Sequence, residues 1–305
     1  MTAPIVAAAD GSEASLAATH WAAVVAARRG VPLSIVHVMD QQPGPSACAR
    51  LVGYDLRHDL SGLLHHELPH HARSVLARAS HRAIAAAPGV DLRAVAIYGQ
   101  ADRVLAGITT RAPLLAVGRR GAGGLPGLGS VARWLAGRAR CPVVFATAGG
   151  CPVFGEVVVG TDGSDAAAAL EFGFGEADAR DARLTALHVW TSPRGARLES
   201  FHDWMMSVGP PNADAAAVLS GQVAPWRRRY PGVLVTESTV HGQPGRVLAM
   251  ASGHADLVVV AGHPAGPAPG PGPVAEALLP HAQCPVAVIP DGARVAPVGL
   301  LAARA

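Results

Sequence analysis

Val117-Gly118-Arg119-Arg120-Gly121-Ala122-Gly123-Gly124-Leu125-Pro126-Gly127-Leu128-Gly129-Ser130 joins an apolar run, Ala112 to Val117, to the segment Val131-Ala132-Arg133-Trp134-Leu135-Ala136-Gly137. The apolar run reads as a buried strand, and the following segment as a helix capped by Ser130. Six glycines in the twelve positions from Gly118 to Gly129 let the backbone turn with φ > 0 and bring bare N–H groups close to a ligand. A loop of this kind, opening onto a helix N-terminus, is a cradle for phosphate oxygens. A surface loop that binds nothing has the same composition.

A P-loop requires Gly-x-x-x-x-Gly-Lys-Ser/Thr, whereas Gly124 to Gly129 is followed directly by Ser130. All 25 basic residues of the chain are arginine, which removes Walker-type, Schiff-base and lysine-nucleophile chemistry together. Gly127-Leu128-Gly129-Ser130-Val131-Ala132 fits the degenerate Gly-x-Gly-x-x-Ala dinucleotide pattern, but that fingerprint belongs after the first strand of its unit and this one comes late.

With 305 residues, half of them apolar and 15% charged, the chain has length and composition for two domains. Aromatic residues make up only 4%, so the core is built from Ala, Val and Leu. The opening Met1-Thr2-Ala3-Pro4 has no basic segment and no apolar run reaches about 18 residues, so neither a secretion signal nor a membrane span is expected. Cys48, Cys141, Cys151 and Cys284 lack metal-like spacing and are expected to be reduced thiols of a cytoplasmic protein. The net charge of +3 divides unevenly. Residues 1–150 hold 15 Arg against 8 acidic residues, and residues 151–305 hold 10 Arg against 14. A basic first half suits an anionic ligand, and no aromatic-interleaved basic strip points to nucleic acid.

The chain is a tandem duplication. Ile5-Val6-Ala7-Ala8-Ala9-Asp10-Gly11-Ser12-Glu13 recurs as Val157-Val158-Val159-Gly160-Thr161-Asp162-Gly163-Ser164-Asp165. Leu33-Ser34-Ile35-Val36-His37-Val38 recurs as Leu184-Thr185-Ala186-Leu187-His188-Val189, and Cys141-Pro142-Val143-Val144 as Cys284-Pro285-Val286-Ala287. In the first copy strands are expected over 4–9, 33–38, 92–97, 114–117 and 142–146. Helices are expected over 13–29, 69–87, 102–110 and 131–138, with Gly30 stopping the first and a Pro/Gly-rich loop leading into the second. Short apolar strands separated by helices predict an α/β fold with a five-stranded parallel sheet covered on both faces, once per copy. The boundary falls at Ala148-Gly149-Gly150-Cys151-Pro152, giving domains 1–149 and 152–290 and a C-terminal tail, 291–305.

The Asp-Gly-Ser after the first strand, the His-Val ending the second, the Gly-x-x-Gly loop after the fourth and the Cys-Pro-Val before the fifth together resemble the universal stress protein family in its tandem two-domain form. The resemblance covers about residues 4–148 and 155–290. It implies a flavodoxin-like, Rossmann-related fold, pairing through the fifth strands as a homo-oligomer or an intrachain pseudo-dimer, an unknown protein partner, and binding of ATP or AMP, with Mg as an accompanying ion. The family's glycine motif is Gly-x2-Gly-x9-Gly-Ser/Thr. Gly118-x2-Gly121 matches it, but only seven residues separate Gly121 from Gly129-Ser130, two fewer than the motif. In the second copy Gly262-His263-Pro264-Ala265-Gly266-Pro267-Ala268-Pro269-Gly270-Pro271-Gly272-Pro273 carries five prolines, which have no N–H for a phosphate, so that site is read as lost.

The candidate ligand residues are therefore Asp10, Val38, Gly118, Arg120, Gly121, Gly129, Ser130 and Val131. Asp10 ends the first strand at the carboxyl edge of the sheet, where α/β ligands sit; by the resemblance it would bond ribose or adenine, and it also fits a capping box with Glu13. Val38 offers backbone groups to adenine. Arg119 and Arg120 stand inside the glycine loop, and Ser130 adds a hydroxyl to the helix amides. His65-His66-Glu67-Leu68-Pro69-His70-His71 has metal-ligand residue types, but Pro69 interrupts helical spacing and a solvated helix entry accounts for it. His37 and His188 read as packed strand residues. No catalytic constellation is present. The expected function is a regulatory protein of stress response that binds an adenine nucleotide in its first domain, with at most slow ATP hydrolysis; the alternative is a nucleotide-free interaction scaffold.

Overall fold

The computed structural model describes residues 2–39, 51–54, 68–121, 127–149, 153–161, 166–190, 213–262 and 271–293. The chain divides into two compact units, Met1–Gly149 and Gly150–Ala305.

In the first unit the order is β1 (Ile5–Ala8), α1 (Glu13–Arg29), β2 (Leu33–Met39), β3 (Leu51–Tyr54), α2 (His70–Ala86), β4 (Leu92–Tyr98), α3 (Ala101–Thr109), β5 (Leu115–Gly118), α4 (Ser130–Arg138) and β6 (Val143–Ala146). β1 lies centrally, with Val6 opposite Ser34 of β2 on one side and Leu115 of β5 on the other. β4 continues the sheet beyond β2 and β6 beyond β5, all parallel. The parallel order is thus β4-β2-β1-β5-β6. Ile5, Leu33, Ile35, Leu115, Val144 and Phe145 are fully buried. Each large apolar side chain so placed contributes about 1.5–3 kcal/mol.

α1 shows how the sequence dictates an element. Ser12 Oγ accepts from Ser15 N at its start, and Gly30, at φ 61°, takes the left-handed conformation that ends it. Between these, Ala18, Ala22, Ala23 and Ala26 are fully buried and let the helix lie close on the strands.

β3 is an addition to the expected scheme. Where a loop was expected between the second strand and α2, Leu51–Tyr54 pairs antiparallel with β4, Leu51 opposite Ile97. Four residues are too few to show a strand alternation in sequence. Elsewhere the bounds agree within one or two residues. Two caps differ: Pro69 is the N-cap of α2 rather than its first helical residue, and Gly129 precedes α4, so that Ser130 is helical and not its cap.

The second unit repeats the plan with β7 (Glu156–Thr161), α5 (Ala167–Arg180), β8 (Arg183–Trp190), α6 (Ala213–Arg229), β9 (Val235–His241), α7 (Pro244–Ala251), β10 (Leu257–Gly262), α8 (Pro273–Leu278) and β11 (Val286–Pro290). Its parallel order is β9-β8-β7-β10-β11. Asp181, at φ 53°, ends α5 in the left-handed conformation that Gly30 supplies in the first copy. Among the described residues no helix is long and apolar enough to cross a membrane.

Candidate functional site

The chain leaves β1 toward β2 on one side and later returns to place β5 on the other, which opens a crevice at the carboxyl ends of β1 and β5. A cavity of about 450 Å³ occupies this position. Val36 and Val38 from β2 and Ala101 and Leu105 from α3 make one apolar wall. Asp10 and Ser15, with Gly118, Gly121 and Gly129 of the glycine loop and Ser130, Val131 and Ala132 of α4, make the polar end.

Seven of the eight sequence-derived candidates, Asp10, Val38, Gly118, Gly121, Gly129, Ser130 and Val131, line this cavity. Arg120 does not: its Nε donates to Gly127 O at 3.1 Å, turning the side chain back over the loop. Ser15, Ala101, Leu105 and Ala132 were missed. They carry no motif of their own, and only their position beside the sheet edge brings them in.

Asp10 serves the start of α1 indirectly. Its Oδ1 accepts from Ser12 N at 2.9 Å and from Ser12 Oγ at 2.6 Å, while Ser12 itself caps the helix. Its other oxygen, Oδ2, stands 3.2 Å from where a Cβ on Gly121 would be. Behind β1, the buried His37 donates from Nδ1 to Ala9 O at 2.8 Å and makes an edge contact with His71 at 5.8 Å. Burial depresses its pKa, as does His71; the Ala9 bond and Asp10 pull the other way. Arg119 is likewise depressed, by burial and then by Arg120.

The helix α4 carries no side-chain cap, because Gly129 has none to offer. Its first-turn amides therefore have no partner within the helix, and their residues Ser130, Val131 and Ala132 border the cavity. A positive helix end and free N–H groups at one end of an apolar slot suit a ligand with a flat apolar part and an anionic group.

The equivalent cleft of the second unit measures about 110 Å³. Leu248 comes within 2.9 Å of where a Cβ on Gly160 would be, and Pro273, first residue of α8, has no N–H. Strand register also corrects one correspondence. Gly118 lies opposite Ala146 in β5–β6, and the matching partner of Ile289 in β10–β11 is Ala261, not Gly262. The place of Gly118 is thus taken by an alanine. His65, His66 and Glu67 lie outside the described residues, and among the described residues no group of three or more His, Cys, Asp or Glu side chains could hold a metal ion.

A duplicated parallel α/β unit with a crevice at its switch point defines the class of protein. The universal stress protein family profile matches residues 1–146 and 154–290, and the chain belongs to that family. One universal stress protein of Mycobacterium tuberculosis is 33% identical over 295 residues, spanning 92% of this chain and 93% of its own. A second from the same organism is 30% identical over 299 residues, spanning 93% and 96%. Among solved structures, a universal stress protein from Archaeoglobus fulgidus superposes with a TM-score of 0.63 over 94% of this chain and 96% of its own, at 18% identity, which speaks for the fold.

Proposed function

We propose that the protein is a regulatory protein of the universal stress type that binds an adenine nucleotide, ATP or AMP, in its first unit and none in its second. The observation that carries this reading is the cavity of about 450 Å³ in which Asp10 and the uncapped amides of α4 face an apolar slot. Adenine suits the slot between Val36, Val38, Ala101 and Leu105; Asp10 suits the ribose hydroxyls; the α4 amides suit a phosphate. Magnesium would enter with the phosphates, since no metal-binding group of side chains stands among the described residues. Among the described residues of the cavity the one carboxylate is Asp10, whose Oδ1 already accepts two hydrogen bonds from Ser12, which speaks for binding rather than efficient hydrolysis. The short glycine loop favours a second reading, a nucleotide-free scaffold acting through association and partner contact. The paired Cys-Pro-Val segments and the short linker are the sequence grounds for proposing association through the last strand of each repeat. A cytoplasmic location rests on composition alone.

Mass spectrometry of small molecules released by denaturing freshly purified protein separates the two readings. An adenine nucleotide at near-equimolar yield supports the first. Its absence, together with no heat on titration with ATP or AMP, supports the scaffold.

A further inference from the structure

We infer that the cleft of the second unit is itself a binding site, for a small uncharged ring that carries one hydroxyl, the chemistry of a phenol. The cleft stands at the carboxyl ends of β7 and β10, the place that the larger cavity takes at β1 and β5. Its walls include Leu187 and Val189 from β8, Leu248 from α7, Val260 from β10 and Val274 from α8. Apolar cavities of about 150 Å³ hold benzene, and the volume here, about 110 Å³, matches one ring rather than a nucleoside. Pro273 is exposed and Val274 half-buried at its border, so the cleft opens to solvent.

The polar part of the assignment rests on Thr161. Among the described residues that line the cleft, it alone has a polar side chain. The residue is 7% exposed, and its Oγ1 is buried without a hydrogen-bond partner. A buried hydroxyl left unpaired costs stability, and most such groups in folded proteins find a partner. The fold itself does not call for this one. Gly160 lies opposite Leu187 as Ala8 lies opposite Val36, so the matching residue of the first unit is Ala9, whose side chain is a methyl group. The second repeat thus carries an orphan hydroxyl where the first carries none. A guest's hydroxyl would pair with Thr161 Oγ1 as donor or acceptor while its ring lay against Leu187, Leu248 and Val260. Burying a charged group against such walls is costly, which sets the guest as uncharged.

Saturation-transfer NMR of the full chain, titrated with phenol or with benzene, tests this. Phenol is expected to bind saturably and ~5-fold or more tightly than benzene, the net contribution of one hydrogen bond. Thr161→Val keeps the side-chain shape and removes the hydroxyl. It should bring phenol to the affinity of benzene and leave benzene within about twofold of the parent. Its urea midpoint should equal or exceed the parent's, because only an unpaired hydroxyl is lost. Val274→Trp, at the half-buried border on α8, fills the cleft from the surface and should end binding of both rings. Phenol bound equally by the parent and Thr161→Val, or either ring still bound by Val274→Trp, would overturn the site. So would a lowered midpoint in Thr161→Val, or no saturable binding of phenol to the parent.

Discussion

Gly118 faces the backbone of Ser15 so closely that a Cβ on it would stand 2.8 Å from the Ser15 amide nitrogen. The first turn of α1 therefore rests on the end of β5, and this contact holds Asp10 and Ser12 beside the glycine loop. In the second unit the same strand position is Ala261, and α5 starts only at Ala167. Gly118→Ala should accordingly push α1 outward and cost about 1–3 kcal/mol, as overpacking against backbone does. Urea unfolding monitored by circular dichroism checks this, and a midpoint equal to the parent's would refute the packing role.

One nucleotide per chain is the expected stoichiometry. A hydrogen bond to a charged group contributes roughly 1.5–3 kcal/mol, so Asp10→Ala should weaken binding by ~10-fold or more. Asp162→Ala, its counterpart in the other repeat, should leave binding within twofold of the parent, roughly 0.4 kcal/mol. Two equivalent sites by calorimetry, or a reversed pair of mutant effects, would overturn the assignment.

The periodic, duplicated parts of the fold were legible in the sequence because the central strands, such as Ile5–Ala8, Leu115–Gly118 and Leu257–Gly262, are short apolar runs. What sequence missed has physical reasons. Gly118 reads as a ligand-binding glycine, yet α1 packing demands it whether or not a ligand comes, and Ser15 is too far along the chain for that contact to show. Matching glycine to glycine paired Gly118 with Gly262, whereas register, set by neighbouring strands, pairs it with Ala261. Ser130 resembles an N-cap by residue type; Gly129 holds that place, and its lack of a side chain is what leaves the α4 amides for a ligand. Arg120 could be assigned to phosphate by charge, but its bond to Gly127 O is decided by the loop's path.

Cys141 and Cys284 are both buried free thiols. Burial pushes the Cys141 thiol up to about 12, the main cause being desolvation of the thiolate. Neither should react with a disulfide reagent such as dithionitrobenzoate at pH 8 in the folded protein, and both should react once it is unfolded in urea. Intact-mass analysis after labelling, followed by peptide mapping, reads this directly; fast native labelling at Cys141 would contradict the burial.

Acidification should destabilise the first unit through His37. The ring is 6% exposed, and its Nδ1–H already donates to Ala9 O, so protonation adds a charge at Nε2 in a buried setting. Desolvation outweighs the favourable Ala9 bond and Asp10, and the folded pKa falls below the ordinary 6.5. Below pH 6.5 the unfolded chain therefore binds a proton that the folded chain does not. Stability is full above that pH and declines as pH falls toward the folded value. His20, depressed by burial and by Arg82, acts in the same direction from a more exposed position. Urea midpoints at pH 7.5 and 5.5 should show the decline, and His37→Gln should flatten it. Because Ala9 leads directly into Asp10, the parent should also lose AMP affinity over this interval more steeply than His37→Gln does. A midpoint that holds or rises on acidification, or an unchanged slope in His37→Gln, would remove His37 as the cause.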